Sequence, residues 1–480
     1  METVQIPTLS FERFVPIVGR TGAERLRQTV EDAQEILDGR VIWHVNSTPS
    51  GGGVAEMLQT FLGYERGAGI DARWLVIDGE PEFFTLTKRI HHNLHGRAGD
   101  GRDYSAGDED LYDEVMLRNA RRLLSYVRAG DVVVLHDPQT AGLTTALKRA
   151  GVSVVWRCHV GCDRANAIVD RVWRFLEPHL EPADSFIFSR PEYVPAWLRG
   201  GPTHIVPPAI DAFSVKNVPI SRGSVRAILH RIGLLAHGST NGELNFTRTS
   251  GSQGRVERRA EILQTAPIPN WRVPVITQVS RWDPLKDMQG VMRGFASRID
   301  AMGGAHLVLA GPDVSGVTDD PEGIRVWEEC VALWHDLPTH AQERVHLVSL
   351  PMEDVEENAM MVNALQRHAS VVVQKSLEEG FGLTVTEAMW KGRAIVASAV
   401  GGIQDQIVDG THGLLLDDPT DLTALSKALE RLLHDHALVR RLGRNARRRA
   451  IAKFLAPRRL AQLVDVIYTM EGRARATAAA

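Results

Sequence analysis

The sequence contains three cysteines among 480 residues, a scarcity that excludes a disulfide-stapled extracellular scaffold. It also lacks any apolar run that approaches the roughly 18 residues of a membrane-spanning helix. Its charges nearly cancel, with 55 Lys and Arg against 59 Asp and Glu, so no basic surface for nucleic acid is indicated. The first residues show no secretory signal. We therefore expect a cytoplasmic protein with no membrane span and no nucleic-acid partner.

The remaining composition, 44% hydrophobic and 24% charged, is typical of folded globular domains. Short runs rich in β-branched residues alternate with longer amphipathic segments, which is typical of parallel sheets covered by helices on both faces. The fold class is therefore α/β. The predicted strands cover residues 41–45, 73–77, 132–135, 153–156, 185–188, 204–206, 273–279, 306–309, 345–347, 371–373, 394–397 and 413–415.

The alternation is interrupted between residues 216 and 270, where a stretch at 237–254 is rich in Gly, Ser, Thr and Asn. We predict that this stretch is a mobile polar loop, and that residues 225–235 and 253–263 beside it are helices. Two doubly wound, Rossmann-like domains facing across a cleft then account for the α/β segments. The predicted division is an N-terminal extension at 1–40, a first domain at 41–215, a linker at 216–270, a second domain at 271–455, and a C-terminal helix and tail at 456–480.

Polar residues directly after strands are the candidates for a site, because ligands of such sheets bind beyond the carboxyl ends of the strands. In the first domain, a turn contains Gly52 and Gly53, whose missing side chains let backbone N–H groups approach a phosphate or a sugar. His136 and Asp137 follow a later strand, and His159 follows the next one. A histidine at a strand end is also a common structural hydrogen-bonding group, but two at one sheet edge favour a site.

In the second domain, Arg281 and Lys286 come soon after the first strand, and both side chains could bind one diphosphate. The alternative is a solvated loop in which neighbouring aspartates form ion pairs with Arg281 and Lys286. Glu379 and Glu387 lie eight residues apart and flank a Gly-Phe-Gly turn that opens a helix. One carboxylate could bind sugar hydroxyls near the turn and the other a ribose, so this is the most specific feature of the chain.

Three other patterns are better explained by structure than by metal binding. His91 and His95 have helical i,i+4 spacing, but no third ligand completes a metal site. The acidic segment at 108–110 lies in a polar loop and not after a strong strand. Cys158 and Cys162 lack the second pair that a zinc site usually needs, so we expect small buried thiols. No metal site is predicted.

Together these motifs resemble the retaining glycosyltransferases of GT-B fold, family four. Arg281 and Lys286 match that family's donor-phosphate pair, and Glu379 and Glu387 match its Glu-x7-Glu motif. Within the family, the sequence is most similar to trehalose synthases of the glycosyltransferring type and to trehalose phosphorylases. The residues that carry this likeness lie at 44–56, 135–139, 156–159 and 207–211, within a resemblance that covers about residues 40–470.

The resemblance implies that residues 41–215 bind the acceptor and that residues 271–455 bind the nucleotide-sugar donor. It implies catalytic roles for His159, Arg281, Lys286 and Glu379. The donor-binding residues that it implies are Gly52, Gly53, Arg281, Lys286, Gly380, Phe381, Gly382, Leu383, Thr384 and Glu387. His159 would contact the donor sugar near the reacting carbon, Glu379 would hold one of its hydroxyls, and Glu387 would bind the ribose. Asn46 and Asp137 would lie near the acceptor.

The activity implied by the resemblance is the reversible transfer of glucose from a nucleoside diphosphate glucose to the anomeric hydroxyl of glucose. The product is α,α-trehalose, and the configuration of the donor carbon is retained. By the same resemblance, no metal or other cofactor is required. UDP, ADP or GDP would carry the glucose, since the base is not readable from the sequence. The expected partners are small sugars and sugar nucleotides, and a homodimer is left open.

Four alternatives stand beside this interpretation. A trehalose phosphorylase would use inorganic phosphate, and Glu387 would then have no ribose to bind. A family-four glucosyltransferase with another acceptor, such as a sugar phosphate, would need further cations, for which Arg157 and Arg164 are candidates. A sugar-nucleotide epimerase is disfavoured by the intact Glu-x7-Glu motif and the Arg–Lys pair. A non-catalytic sugar-nucleotide sensor would bind its ligand without turnover.

Overall fold

The computed structural model describes residues 1–49, 53–238, 241–314 and 321–472. The chain divides into two compact units. Unit 1 contains Met1–Ala209 and the C-terminal segment that begins at Phe454. Unit 2 contains Ile210–Lys453. Within the described ranges, no helix combines the length and the apolar character that crossing a bilayer requires.

Unit 1 is built on one sheet flanked by helices. Its strands are β1 (Glu2–Val4), β2 (Val41–Asn46), β3 (Asp71–Val76), β4 (Val132–His136), β5 (Ser153–Cys158), β6 (Ser185–Phe188) and β7 (Thr203–Ile205). Its helices are α1 (Val15–Ile36), α2 (Gly53–Gly67), α3 (Pro81–Leu94), α4 (Ala106–Leu123), α5 (Thr144–Arg149), α6 (Ala167–Leu180) and a C-terminal helix at Ala456–Met470.

The strand order in unit 1 is β1-β3-β2-β4-β5-β6-β7. All neighbouring pairs are parallel except β1 and β3. The order reverses between β2 and β4, so the crevice at this switch point is where a doubly wound sheet binds its ligand. A core of buried residues that includes Trp43, Tyr112 and Trp156 packs against the sheet.

Unit 2 has a second sheet of the same kind and a small separate hairpin. Its strands are β8 (Asn245–Thr247), β9 (Gln253–Arg255), β10 (Glu261–Leu263), β11 (Val275–Val279), β12 (His306–Pro312), β13 (Val345–Leu350), β14 (Val371–Gln374), β15 (Ala394–Ser398) and β16 (Leu414–Leu416). Its helices are α7 (Arg222–Arg231), α8 (Met288–Ala296), α9 (Pro321–His335), α10 (Thr339–Gln342), α11 (Val355–His368), α12 (Leu383–Trp390), α13 (Ile403–Gln406), α14 (Leu422–His434) and α15 (His436–Lys453). The C-terminal helix of unit 1 is α16.

The large sheet of unit 2 has the order β10-β13-β12-β11-β14-β15-β16, and β10 is its antiparallel edge. The six parallel strands follow the Rossmann order, with the switch point between β11 and β14. Successive residues of β12 belong to different cores: Leu307 and Leu309 pack on one face, and Val308 packs on the other. Both faces of the sheet are therefore covered, as its continuous apolar strands indicate.

The structure has a strand near each of the predicted strands and adds four short ones, β1, β8, β9 and β10. The prediction of a helix at residues 253–263 is wrong, because this segment contains β9 and β10. β9 pairs with β8 in a hairpin that occupies part of the predicted polar loop. Gly254 fits this hairpin, because a Cβ at this position would lie 2.5 Å from the ring of Phe246. Residues 239 and 240 of the predicted loop lie outside the described residues.

The two ends of the chain belong to unit 1, which differs from the predicted division. β1 adds an antiparallel edge to the sheet through the partners Glu2 and Val76. Helix α16 contacts α1 and α2, and an ion pair joins Arg40 to Glu471. Three-residue edge strands and a returning helix depend on contacts between distant segments, so local sequence patterns do not show them.

A histidine pair in unit 2, of which His346 is buried and His306 half-buried, makes the stability of the fold sensitive to acid. His306, His346 and Gln264 form a short hydrogen-bonded chain. His306 Nδ1 lies 2.8 Å from His346 Nε2, and His346 Nδ1 lies 2.9 Å from Gln264 Oε1. Burial lowers the pKa of His306 to about 4 and of His346 to about 3. The unfolded chain, with histidine pKa values near 6.5, therefore binds more protons between about pH 6.5 and 3.

Because the unfolded state binds the additional protons, stability falls as the pH decreases through this window, by up to about 1.4 kcal/mol per pH unit for each proton. The substitution His346→Gln removes one titrating group. We expect the difference in melting temperature between pH 7 and pH 4.5 to be smaller in this variant than in the wild type, as scanning calorimetry at both pH values would measure. If the difference in melting temperature were equal in both proteins, the histidine pair would not be the source of this pH dependence.

Candidate active site

The carboxyl ends of β4 and β5 bring three of the predicted residues of unit 1 together. His136 is the last residue of β4 and lies opposite Arg157 of β5. His136 Nδ1 lies 3.1 Å from His159 Nε2, and the backbone N–H of His159 donates to Asp137 Oδ1 over 2.8 Å. His136, Asp137 and His159 form what we call the His159 cluster.

Asp137 occupies an unusual conformation and environment within this cluster. Its φ is 62° and its ψ is 174°, a region that residues other than glycine rarely adopt and that costs about 1–3 kcal/mol. Burial raises the pKa of its carboxyl to about 7, against the lowering effects of the His159 hydrogen bond and Arg157. The carboxyl can therefore hold or release a proton near neutral pH, as an acid–base group requires.

The histidines of the cluster are neutral at physiological pH. Burial lowers the pKa of His136 and of His159 well below the usual histidine value, and the nearby Arg157 guanidinium acts in the same direction. The His159 residue remains partly exposed, whereas His136 is buried. Of the two histidines, His159 is thus the one that a ligand can reach.

The other predicted residues of unit 1 lie at the first strand–helix connection. Asn46 ends β2 and is buried; its Oδ1 accepts a 2.8 Å hydrogen bond from Trp74 Nε1, and its Nδ2 donates to Thr48 O over 2.7 Å. Its amide is therefore held in one orientation by unit 1. Gly53 begins α2 and is exposed. Gly52 lies outside the described residues.

The patterns that sequence analysis attributed to structure have structural partners. Ser105 caps α4, and the Asp108 carboxylate accepts from the Ser105 backbone N–H over 2.9 Å, so the acidic segment begins a helix. His95 Nδ1 lies 3.1 Å from Gly161 O. Cys158 is buried, and burial raises the pKa of its thiol. Within the described residues, no group of three or more His, Cys, Asp or Glu side chains is arranged to hold a metal ion.

In unit 2, the switch point brings together two residues that are 93 positions apart. Lys286 follows β11, Glu379 follows β14, and Lys286 Nζ donates to Glu379 Oε2 over 2.6 Å. Ser376 Oγ donates to the same oxygen over 3.1 Å. Both side chains of the pair are largely buried. A cation and a carboxylate thus stand where a doubly wound sheet binds its ligand.

Lys375 is a residue of this region that the sequence analysis missed. Its side chain is fully buried and its ammonium pairs with Asp287. Asp287 has a φ of 44°, caps α8 by accepting from the Gly290 backbone N–H over 3.0 Å, and directly follows Lys286. Lys375 therefore helps to hold the strained backbone that positions Lys286. Its place directly after β14 was the signal that could have found it.

Arg281, the second predicted cation, does not join the Lys286–Glu379 pair. Its side chain is 71% exposed, compared with 15% for Lys286. Its Nη2 lies 3.2 Å from the carboxylate of Asp283. The alternative interpretation of this segment, an ion pair with a neighbouring aspartate, thus applies to Arg281. An exposed guanidinium that is paired within its own loop remains able to reorient toward a ligand.

The Gly-Phe-Gly turn positions the N-terminus of α12. Gly382 has a φ of 85° and precedes Leu383, the first residue of the helix. Gln406 binds the turn from behind by donating to the carbonyls of Phe381 and Gly382. Thr384 Oγ1 donates to Gln374 Oε1 over 2.8 Å. The turn residues Gly380, Phe381, Gly382, Leu383 and Thr384 accordingly surround a helix N-terminus, which favours an anion.

Glu387 lies in a separate buried network on α12. Gln366 Nε2 donates to Glu387 Oε2 over 3.2 Å, and Lys391 Nζ donates to Gln366 Oε1 over 2.6 Å. Lys216 Nζ lies 3.7 Å from Glu387 Oε1. Burial lowers the pKa of Lys391 to about 7, against the raising effect of Glu387. Sequence analysis missed Gln366, Lys391 and Lys216, which are scattered along the chain and have no motif.

Comparison with known proteins gives two matching families. The family described as "Trehalose synthase, N-terminal domain" matches residues 44–195. The family described as "Glycosyl transferases group 1" matches residues 356–449. The first match contains the His159 cluster, and the second contains Glu379 and Glu387.

Whole-chain similarity extends these matches. The chain is 32% identical to a trehalose synthase of Pyrococcus horikoshii over 462 residues, which are 96% of each protein. It is 28% identical to a trehalose phosphorylase of Pleurotus pulmonarius, over 89% of this chain but 57% of the fungal protein. An α,α-trehalose-phosphate synthase (UDP-forming) from Burkholderia xenovorans, solved with glucose-6-phosphate, superposes with a TM-score of 0.64 at 16% identity, over 89% of this chain and all of that one. The predicted fold class, GT-B with two Rossmann-like domains, is confirmed.

Proposed function

This chain belongs to the trehalose synthase family, and on that premise we propose that it is a retaining glucosyltransferase that reversibly forms α,α-trehalose. The donor is a nucleoside diphosphate glucose, with UDP, ADP or GDP as the nucleotide, and the acceptor is glucose. The alignment over 96% of both chains supports a synthase over a phosphorylase, since the phosphorylase relative matches over little more than half of its length.

The observation that carries the proposal is the contact between Lys286 and Glu379 at the switch point of unit 2. Glucosyl transfer leaves negative charge on the departing diphosphate. Lys286 supplies a compact positive charge for it, and the first amides of α12 supply oriented dipoles. Glu379, when it exchanges its ion pair for a substrate, accepts from a hydroxyl of the transferred glucose. Arg281 reorients from its loop carboxylate to the diphosphate.

The remaining site residues fit the same reaction. Glu387 accepts from the ribose hydroxyls, and a carboxylate suits this role because it offers acceptors to both. In unit 1, His159 contacts the donor sugar, and Asp137, whose pKa is about 7, lies on the acceptor side and can exchange a proton with the acceptor hydroxyl. Asn46, Gly52 and Gly53 complete the proposed binding residues.

The proposal is tested with trehalose as the only sugar. The protein is incubated separately with UDP, ADP, GDP and inorganic phosphate, and free glucose and activated glucose are quantified. We expect one nucleotide to give nucleoside diphosphate glucose and an equal amount of glucose. The control replaces trehalose by maltose, which contains the same two glucose units in another linkage.

The other outcomes each contradict a defined part of the proposal. Glucose 1-phosphate from phosphate alone would make the protein a phosphorylase. Absence of product with all four co-substrates would exclude trehalose as the disaccharide, and a screen of acceptors with nucleotide glucoses would follow.

A further inference from the structure

The side-chain nitrogen of Lys391 lies between two amide side chains in the interior of unit 2. Lys391 Nζ donates to Gln366 Oε1 over 2.6 Å and to Asn217 Oδ1 over 2.9 Å. Gln366 Nε2 in turn donates to Glu387 Oε2 over 3.2 Å. All four residues are at most 5% exposed. We call Asn217, Lys391 and Gln366 the Lys391 bridge.

Three segments of unit 2 bring these side chains together. Glu387 lies on α12 and Lys391 directly follows this helix, so the two residues are four positions apart and lie on one side of it. Gln366 lies in the last turn of α11, and Asn217 lies in the connection before α7. Trp390 Nε1 donates to the Asn217 backbone carbonyl over 3.0 Å, so this connection is docked on α12. The bridge thus joins residues that are up to 174 positions apart.

The partners at the two ends determine the direction of each hydrogen bond in the bridge. Asn217 Nδ2 donates to the backbone carbonyl of Asp211 over 2.9 Å, and a carbonyl can only accept, so Asn217 Oδ1 faces Lys391. Gln366 uses its Nε2 for Glu387, so its Oε1 also faces Lys391. Burial lowers the pKa of Lys391 to about 7. Lys391 has N–H groups for both acceptors as an ammonium and as an amine, so the bridge keeps its direction in either state.

The bridge gives the two carboxyl oxygens of Glu387 different surroundings. Oε2 accepts from Gln366, whereas Oε1 lies 3.7 Å from Lys216 Nζ, which is longer than a hydrogen bond. A glutamate and a lysine four positions apart on a helix commonly pair directly, and such a pair would occupy the carboxylate. Here the Gln366 amide links Glu387 to Lys391 through two hydrogen bonds. Oε1 is thus the oxygen that can accept from a ligand.

We propose that Gln366 and Lys391 are positioning residues for the nucleotide sugar, which hold Glu387 so that its Oε1 accepts from the ribose hydroxyls of the donor. Gln366 fixes the carboxylate through Oε2, and Lys391 fixes Gln366 by tying its Oε1 to Asn217. Both residues act through Glu387. The inference rests on the proposed function, because it takes the ribose as the ligand of Glu387.

The affinities for a nucleotide with and without its ribose hydroxyls measure this positioning. UDP, ADP and GDP are titrated into the full chain by calorimetry, and the tightest binder is compared with its 2′,3′-dideoxy analogue. In the wild type we expect the analogue to bind about 30-fold more weakly, because it leaves the buried Glu387 Oε1 without its donors. Gln366→Met keeps the length of the side chain but removes the donor to Oε2. We expect the affinity ratio in this variant to fall to about threefold, since the carboxylate is no longer held for the ribose.

A second variant tests the anchor of the bridge. Lys391→Met keeps the stem of the side chain but removes both hydrogen bonds to the amides. Gln366 stays in place without its anchor, so we expect an intermediate affinity ratio of about tenfold. The matched control is Gln289→Met. Gln289 Nε2 also donates to a carboxylate, that of Glu329 over 2.8 Å, but it does so on the exposed side of α8 and α9, so the control should keep the wild-type ratio.

Kinetics test whether Gln366 acts through Glu387. In Gln366→Met we expect the donor KM to rise about tenfold with kcat within about threefold of the wild type, because a ribose contact is the same in ground and transition states. Added to Glu387→Gln, the same substitution should raise the donor KM by less than about twofold further, since residues of one network are not additive. Fully additive effects would show that Gln366 acts independently of Glu387 and would contradict the proposal.

The outcomes separate this inference from the proposed function. A wild-type affinity ratio in both Gln366→Met and Lys391→Met would overturn the positioning role, and so would an equal loss of affinity for both nucleotides, which general damage to the fold causes. If one variant does not fold, the ratio in the other decides. If the wild type binds both nucleotides equally, Glu387 holds no ribose, and the inference fails together with that part of the proposed function. A wild type that shows the expected ratio but forms no trehalose refutes the proposed product and leaves the positioning role standing.

Discussion

Replacing Lys286 by alanine is expected to lower kcat for trehalose formation by about 100- to 1,000-fold. The substitution removes a cation that is largely buried and held at the switch point by Glu379 and by the loop that ends in Asp287. Removing one preorganised charge that stabilises a leaving group typically has an effect of this size. The measurement is steady-state formation of trehalose from the active nucleoside diphosphate glucose and glucose, at saturating concentrations of both.

The design separates lost catalysis from lost structure. Lys427→Ala on the exposed face of α14 removes the same side chain elsewhere in unit 2 and should keep full activity. The melting temperature of Lys286→Ala is compared with the wild type, because the variant leaves the Glu379 carboxylate without its ammonium partner. Turnover within threefold of the wild type in a folded variant would refute the role of Lys286 at the diphosphate.

Replacing Glu387 by glutamine is expected to raise the donor KM about tenfold and to leave the KM for glucose unchanged. The side chain keeps its size within the network of Gln366 and Lys391, but it loses the charge that strengthens hydrogen bonds to the ribose hydroxyls. Because the ribose is remote from the reacting carbon, its binding is the same in ground and transition states, and kcat should change by less than about threefold.

Two further measurements make this prediction specific. Glu328→Gln, an exposed position on α9, is the matched control and should show the wild-type donor KM. If the protein instead uses inorganic phosphate, the phosphate KM should be unaffected by Glu387→Gln, because no ribose is present. A donor KM unchanged in the nucleotide reaction would show that Glu387 does not bind the ribose.

Much of the candidate site could be predicted from local sequence because its residues stand directly after strands. His136, Asp137 and His159 follow apolar runs that could only be buried strands, and parallel strands place their carboxyl ends at one edge. The turn at Gly382 was visible because a left-handed residue before a helix calls for glycine. These features depend on the chemistry of consecutive residues.

The partners of those residues could not be predicted in the same way. Arg459 of helix α16 acts electrostatically on His136 and His159, although it lies about 300 residues further along the chain. Gln366 donates to Glu387 from α11, and Lys391, directly after α12, donates to Gln366. Each is an isolated polar residue in or at the end of an amphipathic helix, where its type alone is equally consistent with a solvated face.

The sequence by itself determined two α/β units, the positions of their main strands and the residues at the carboxyl end of each strand. A strand that is buried on both faces is a continuous apolar run, and such a run is stable only when it is removed from water. Only the tertiary structure decided the strand order and the place of α16 in unit 1. The strand order in turn decides which residues at the carboxyl ends of strands come into contact. The contact of Lys286 with Glu379 exists because β11 and β14 are neighbours. The His159 cluster exists because β4 and β5 are neighbours as well. Adjacency of this kind follows from how helices pack over the whole sheet, and no local pattern encodes it.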